Sequence, residues 1–318
     1  MPVNLFDDMR MRELAAPYER LARKALDSYG LREAKLTALA VGNRVTFRAS
    51  EADTSYALHI YPSGWDRSRI DRSLLWQTAL CRAGAVCCPE PVLTFAGDLV
   101  QSLSTPGVAG FRHVLLNSWV RGEACEGAQW TREQALAAGR LIGRLHDHGT
   151  AIALPPGLAF AIPTAEVLRE RFDPHQIART LPGADETLIQ GSLDRICDVL
   201  TDGVSSEGVG LIHANLTPGS ILFAEDEPAL IGFHQVQRGY AAYDLGTLAL
   251  GFRGAEEATG LRDALLHGCA ETRSVPLDAD TLDAFAIWRL LDELVALLHR
   301  ETAERSARRL LTTLQELA

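Results

Sequence analysis

The chain has 318 residues, a formal net charge of −10, 47% hydrophobic residues and 23% charged ones. That length can hold two units with separate cores, and the composition is that of an ordinary globular protein rather than a disordered chain. The acidic balance argues against nonspecific binding to nucleic acid or to an anionic membrane.

In chain order, Leu14, Tyr18, Leu21 and Leu26 recur near helical spacing. They predict an amphipathic helix over about 11–29, stopped by Gly30 and either kinked or begun at Pro17. Strands are expected over about 36–61 and a helix over about 67–83. Pro89, Pro91, Gly97 and Gly107 punctuate a second strand region that reaches about residue 120. Thr131-Arg132-Glu133-Gln134 has the form of a capping box and opens a helix to His148, with Leu141, Ile142 and Leu145 toward its core. Helical patches follow at 164–182 and 184–201. Leu211-Ile212, after a Gly/Ser-rich loop, predicts a short strand. Ile221-Leu222-Phe223 and Ala229-Leu230-Ile231 flank the acidic turn Ala224-Glu225-Asp226-Glu227-Pro228, which is a hairpin pattern. Such a hairpin brings residues 213–220 and 232–235 together. Leu265, Phe285, Trp288, Leu290, Leu291, Leu294 and Leu298 read as the core of C-terminal helices, and Arg305, Arg308 and Arg309 as a solvated face.

No segment approaches ~20 uninterrupted apolar residues, so no transmembrane helix is expected. Met1-Pro2 leads to Asp7-Asp8 without the basic-then-apolar order of a signal peptide, and the cytoplasm is the expected compartment. The six cysteines show no C-x-x-C spacing and are expected to be reduced and mostly buried. The adjacent Cys87-Cys88 is read as loop filler rather than an oxidant sensor. His146 and His148 point to different faces of a helix, which argues against a shared metal.

The segment LIHANLTPGSILFAEDEPALIGFHQVQRGYAAYDLG, Leu211 to Gly246, has the layout of a kinase catalytic centre. It resembles the aminoglycoside phosphotransferase / homoserine kinase-like family of the protein-kinase-like fold. That family's pattern is H-G-D-x-x-x-x-N, a hairpin, an Asp-aromatic pair, then Tyr-Asp-Leu. The matching residues here are His213-Ala214-Asn215, Ser220, Gly232-Phe233 and Tyr243-Asp244-Leu245. Ala40–Ala49 resembles the family's phosphate loop and its following strand, and Tyr56–Tyr61 the strand that normally carries a cation for the nucleotide phosphates. Ser73-Leu74-Leu75-Trp76 resembles the opening of the helix whose glutamate pairs with that cation. Leu116–Gly122 resembles the hinge and Leu141–His146 the long helix of the large lobe. The resemblance implies an α+β, two-lobed protein-kinase-like fold. An N-lobe over 1–116, a hinge over 117–122 and a helical C-lobe over 123–318 are expected.

Five functional positions depart from the family together: His59 for the cation, Ser73 for Glu, Asn215 for the base, Ser220 and Gly232 for the magnesium ligands. An amide cannot accept a proton, which removes a base contribution of roughly 10²–10⁴-fold. A hydroxyl and a missing side chain leave little for magnesium, which prefers carboxylates. The expected function is therefore that of a pseudokinase, a scaffold or a sensor of a nucleotide or other small ligand. The alternative is an active small-molecule phosphotransferase with a hydroxyl acceptor. Arg44 or Arg48 would then hold phosphate, because Lys24 and Lys35 both precede the phosphate loop, and His234 or His213 would move the proton. A third possibility is a protein that keeps only the acceptor pocket, with Asp173 or Glu186 favouring a cationic ligand. The candidate nucleotide-contacting residues are Asn43, Arg44, Arg48, His59, Trp119 and Phe233, with His213 and Asp244 structural. No metal is assigned. ATP or another nucleotide, held weakly or without magnesium, is the candidate cofactor, and a protein or small molecule the candidate partner.

Overall fold

The computed structural model describes residues 5–42, 44–153, 162–202, 208–224, 227–273, 278–298 and 304–318, with side chains from residue 13 onward; Asn43, Glu225 and Asp226 lie outside them. The chain divides into two compact units, Met1–Arg121 and Gly122–Ala318.

The first unit is a sheet with two helices. Helix α1 (Leu5–Asp27) precedes strands β1 (Lys35–Val41), β2 (Val45–Glu51) and β3 (Thr54–Ile60), then helix α2 (Arg67–Ala83) and strands β4 (Pro91–Val92), β5 (Gln101–Thr105) and β6 (Val108–Ser118). The antiparallel order is β1-β2-β3-β6-β4, with β5 also on β6. Strand alternation sorts the side chains. Phe47, Ala49, Leu58, Ile60, Val114 and Leu116 pack with Leu21, Ala22, Ala25 and Leu26 of α1 in one core. Ile70 and Leu74 of α2 form a second with Tyr61, Val100 and Leu115. Helix α2 is held at both ends. Asp66 accepts from the Ser68 amide at its start, and Gly84 takes the left-handed conformation at its close.

Helix α1 begins six residues before the expected start and runs through Pro17. Of the expected stripe, Leu21 and Leu26 are buried and Tyr18 packs against the same core, while Leu14 is exposed and Ala15, Ala22 and Ala25 fill the rest of the buried face. Ser73 lies well inside α2 rather than opening it.

The second unit is mainly helical: α3 (Arg132–Ala151), α4 (Ala165–Arg171), α5 (Pro174–Thr180), α6 (Glu186–Asp202), α7 (Ala241–Leu250), α8 (Ala258–Thr272), α9 (Ala279–Leu297) and α10 (Glu304–Leu317). The Thr131 capping box opens α3, with Gln134 N donating to Thr131 Oγ1 at 3.2 Å and Thr131 N to Gln134 Oε1 at 3.0 Å. The expected patch 164–182 breaks into two helices at Asp173-Pro174, where Asp173 caps α5 and proline takes its first position. Helices α3 and α8 pack backbone to backbone. A Cβ on Gly139 would stand 2.2 Å from Leu265 O, and one on Gly268 2.1 Å from Leu136 O. Two small ladders complete the unit. Strand β7 (Val209–Ile212) pairs with β10 (Gln237–Tyr240), a strand the apolar pattern does not reveal. Strands β8 (Ile221–Leu222) and β9 (Ala229–Leu230) form the hairpin.

Among the described residues no helix is long and apolar enough to cross a membrane. Only Cys197 and Cys269 of the six cysteines are buried, fewer than expected. The neighbour of Cys88 is Cys81 of α2, with the sulfurs 3.3 Å apart.

Candidate functional site

The β7–β10 ladder delivers the chain into the loop 213–220, and α7 starts directly after β10. Asp244, in the first turn of α7, is thereby set against the beginning of that loop. It is fully buried. Its Oδ2 accepts from the His213 amide and its Oδ1 from the Ala214 amide, both at 2.8 Å. His146 Nε2 reaches Oδ2 at 3.0 Å from α3. A buried carboxylate needs such donors, and charge-assisted bonds of this kind are the strong ones. They hold Ala214 at a φ of 59°, a left-handed conformation that costs a residue with a Cβ roughly 1–2 kcal/mol.

Each polar side chain of the loop then has a partner. Asn215 Oδ1 accepts from Arg289 Nη2 of α9 at 3.0 Å, and the same guanidinium donates to Ala214 O at 3.3 Å and to Glu293 Oε1 at 2.8 Å. Ser220 is buried. Its hydroxyl donates to Asn215 O at 3.1 Å and lies 3.3 Å from the Thr217 amide, so it staples its own loop. Gly232 has a φ of 93°. His213 Nε2 donates to Ile231 O at 3.0 Å, and its ring meets Phe233 edge to face at 5.3 Å. Phe233 is itself buried. His234 Nδ1 donates to Gly232 O at 2.7 Å.

Behind Arg289 lies a run of charges that the apolar reading of α9 missed. Tyr243 Oη donates to Asp292 Oδ2 at 2.6 Å, and Arg171 pairs with Asp292 Oδ1 at 2.7 Å. Burial pushes the Asp292 carboxyl up, with Arg171 opposing it. Burial also drives the Tyr243 phenol well above its usual range, helped by Asp292, so it stays a donor. For Arg289 burial works against the charge, but Tyr243 and Glu293 outweigh it and hold its pKa above the usual value. The signal was present in the sequence. Arg289, Asp292 and Glu293 sit at helical spacing in the C-terminal, mostly apolar half of the helix.

In the first unit, Thr46, Arg48, Ala57 and His59 share one sheet face by the β2–β3 register. His59 is buried and its Nδ1 is 3.1 Å from Thr46 Oγ1. Arg48 donates to Ser55 Oγ at 3.0 Å and lies over the Trp119 ring at 4.5 Å. Arg44 stands just before β2, and burial raises the pKa of the Tyr61 phenol with Arg44 opposing it. Ser73 is buried in α2. Asp173 and Glu186 of the second unit are already used, one as a helix cap and the other by exposed His175 at 3.2 Å.

The second unit thus gathers His213, Asn215, Ser220, Gly232, Phe233, His234 and Asp244 around one loop and hairpin, and the first carries His59, Arg44, Arg48 and Trp119. Magnesium, which kinases of this fold use, does not fit the donors at the second-unit site. Asn215 Oδ1 faces a cation, the Ser220 hydroxyl is turned into its loop, and Gly232 offers nothing. Among the described residues, no three His, Cys, Asp or Glu side chains gather in a way that could hold a metal ion.

An antiparallel-sheet unit followed by a helical unit that carries this loop, hairpin and Asp-bearing helix is the α+β protein-kinase-like fold. Residues 35–276 match the phosphotransferase enzyme family, to which the chain belongs. A microcompartment-associated aminopropanol kinase is similar in fold, with a TM-score of 0.78 and 21% identity over 94% of each chain. An amicoumacin kinase, solved with AMP-PNP, calcium and its antibiotic, has a TM-score of 0.73 and 18% identity over 96% of this chain and 95% of that one. A spectinomycin phosphotransferase has a TM-score of 0.64 and 15% identity over 94% and 93%. No curated protein sequence matches the chain.

Proposed function

We propose that this family member acts by binding, as a nucleotide or small-ligand sensor or as a scaffold, rather than by efficient phosphate transfer. The observation that carries the reading is Arg289 on Asn215 Oδ1: a donor-only cation occupies the acceptor atom at the place where the family keeps its base. The loop-facing Ser220 hydroxyl and the missing side chain at Gly232 support it, since both depress magnesium affinity. On the first unit, Arg48, His59 and Trp119 form the face for a nucleotide, and residues 117–122 serve as the hinge. The cytoplasm is the compartment we assign.

Calorimetric titration of ATP with and without magnesium, run beside a turnover assay on amino alcohols and aminosugars, tests this. Binding that is insensitive to magnesium, with no turnover, is expected. Magnesium-dependent ATP turnover by the wild type would replace it with the second reading, a phosphotransferase acting on a hydroxyl acceptor. One observation favours that second reading. The His234 imidazole, an ionisable group, is held beside the hairpin through Nδ1 on Gly232 O at 2.7 Å.

A further inference from the structure

Oxygen and nitrogen of a side-chain amide are told apart by their partners. Arg289 has only donors, so the atom of Asn215 that faces it at 3.0 Å is the oxygen. The amide nitrogen projects from the opposite side of the group with two N–H bonds. Rotation is opposed because Arg289 is itself fixed, by Ala214 O and by Glu293. The guanidinium is also largely enclosed, with 13% of its side-chain surface exposed.

The charges of this corner match when position 215 is neutral. Arg171 and Arg289 face Asp292 and Glu293. A carboxylate at 215 would compete with Glu293 for Arg289 and would lose basicity in doing so, because an arginine alongside lowers an aspartate pKa by about 1–3 units.

We infer that Arg289 is the positioning residue of the site, turning Asn215 into a hydrogen-bond donor that holds an acceptor oxygen of the ligand, phosphoryl or carboxylate. This rests on the reading that the centre binds rather than transfers, and it names the chemistry that is bound. Where a transferase draws a proton from a hydroxyl, this chain gives a hydrogen bond to an oxygen. The lack of carboxylates at 215, 220 and 232 suits an anionic oxygen, which needs no metal to screen it.

The first test reads a pKa. In Asn215→Asp the introduced carboxyl is expected about a unit or more below the ordinary ~3.9 by carbon-13 NMR. It should return to that value when Arg289→Met is added, and stay low with Arg289→Lys, which keeps the charge and its donor hydrogens and guards against a merely unfolded variant. Equal values with and without Arg289 would overturn the positioning role. The second test follows the Asn215 side-chain NH₂ resonances in the wild type during titration with inorganic phosphate or with acetate, without magnesium. A shift with one of them identifies phosphoryl or carboxylate as the source, and Asn215→Asp should weaken that anion tenfold or more. No shift with either, or unchanged affinity in Asn215→Asp, would overturn the donor role. Turnover of ATP would sink the proposed function and still leave the pKa result standing.

Discussion

At the back of the 213–220 loop, a fully buried carboxylate takes hydrogen bonds from two consecutive amides and a histidine. At its front stand an amide, a hydroxyl and a bare backbone position, at 215, 220 and 232. The back is what the kinase-like family uses to shape its catalytic loop, and the front is where the family keeps its reactive groups. The front has also acquired partners of its own, Arg289 for Asn215 and the loop backbone for Ser220. A site that had merely decayed would keep the old frame around unsatisfied remnants. Here Asn215 and Ser220 both have partners within the unit, which is what the proposed binding role rests on.

The comparison breaks most sharply at Asp244. Asp244→Ala strips acceptors from the His213 and Ala214 amides and from His146, and should cost about 3–5 kcal/mol in urea unfolding. A cost below about 1 kcal/mol would mean that the frame does not depend on it. Next comes restoration of the front. Gly232→Asp must adopt a φ of 93°, so it should lose about 1–2 kcal/mol of stability although the added Cβ would sit an ordinary 3.6 Å from the His213 ring. Combined with Asn215→Asp it should not restore ATP turnover; a competent double variant would show the front to be only two substitutions from catalysis.

The smallest effect is in pH. Burial raises the folded-state pKa of Asp292, so the folded state holds that proton more tightly than the unfolded chain. Its stabilising contribution is complete below the unfolded value of 3.8 and is lost as pH rises through the folded value. Wild type measured against Asp292→Asn should therefore lose relative stability with rising pH across that window. A gain would mean that the Arg171 pair dominates instead.

Most of the frame was legible in the sequence. Apolar alternation marks β2 and β3, the Thr131 box marks the start of α3, and the split apolar runs around the acidic turn mark the hairpin. The motif also named 215, 220, 232 and 244, which the fold places around one loop and hairpin. What escaped was set by tertiary partners. Gln237–Tyr240 has no apolar alternation and becomes a strand only because β7 is beside it. Arg289 sits between Trp288 and Leu290, and its partner at Asn215 is seventy-four residues away in the chain. Cys81 and Cys88 meet only because the chain turns back after Gly84. Spacing rules see neighbours along the chain, and these contacts are not of that kind.

The paired glycines of α3 and α8 act on the site without touching it. With carbonyls 2.2 and 2.1 Å from where their β-carbons would be, the two helices sit at a separation that only glycine permits at these positions. His146 rides on α3 seven residues beyond Gly139, so the axial setting of that helix fixes the height at which the imidazole meets Asp244. The glycine pair sets how closely the two helices approach. A methyl group added at 139 would be felt, through the displaced histidine, as a misplaced loop far from the residue that changed.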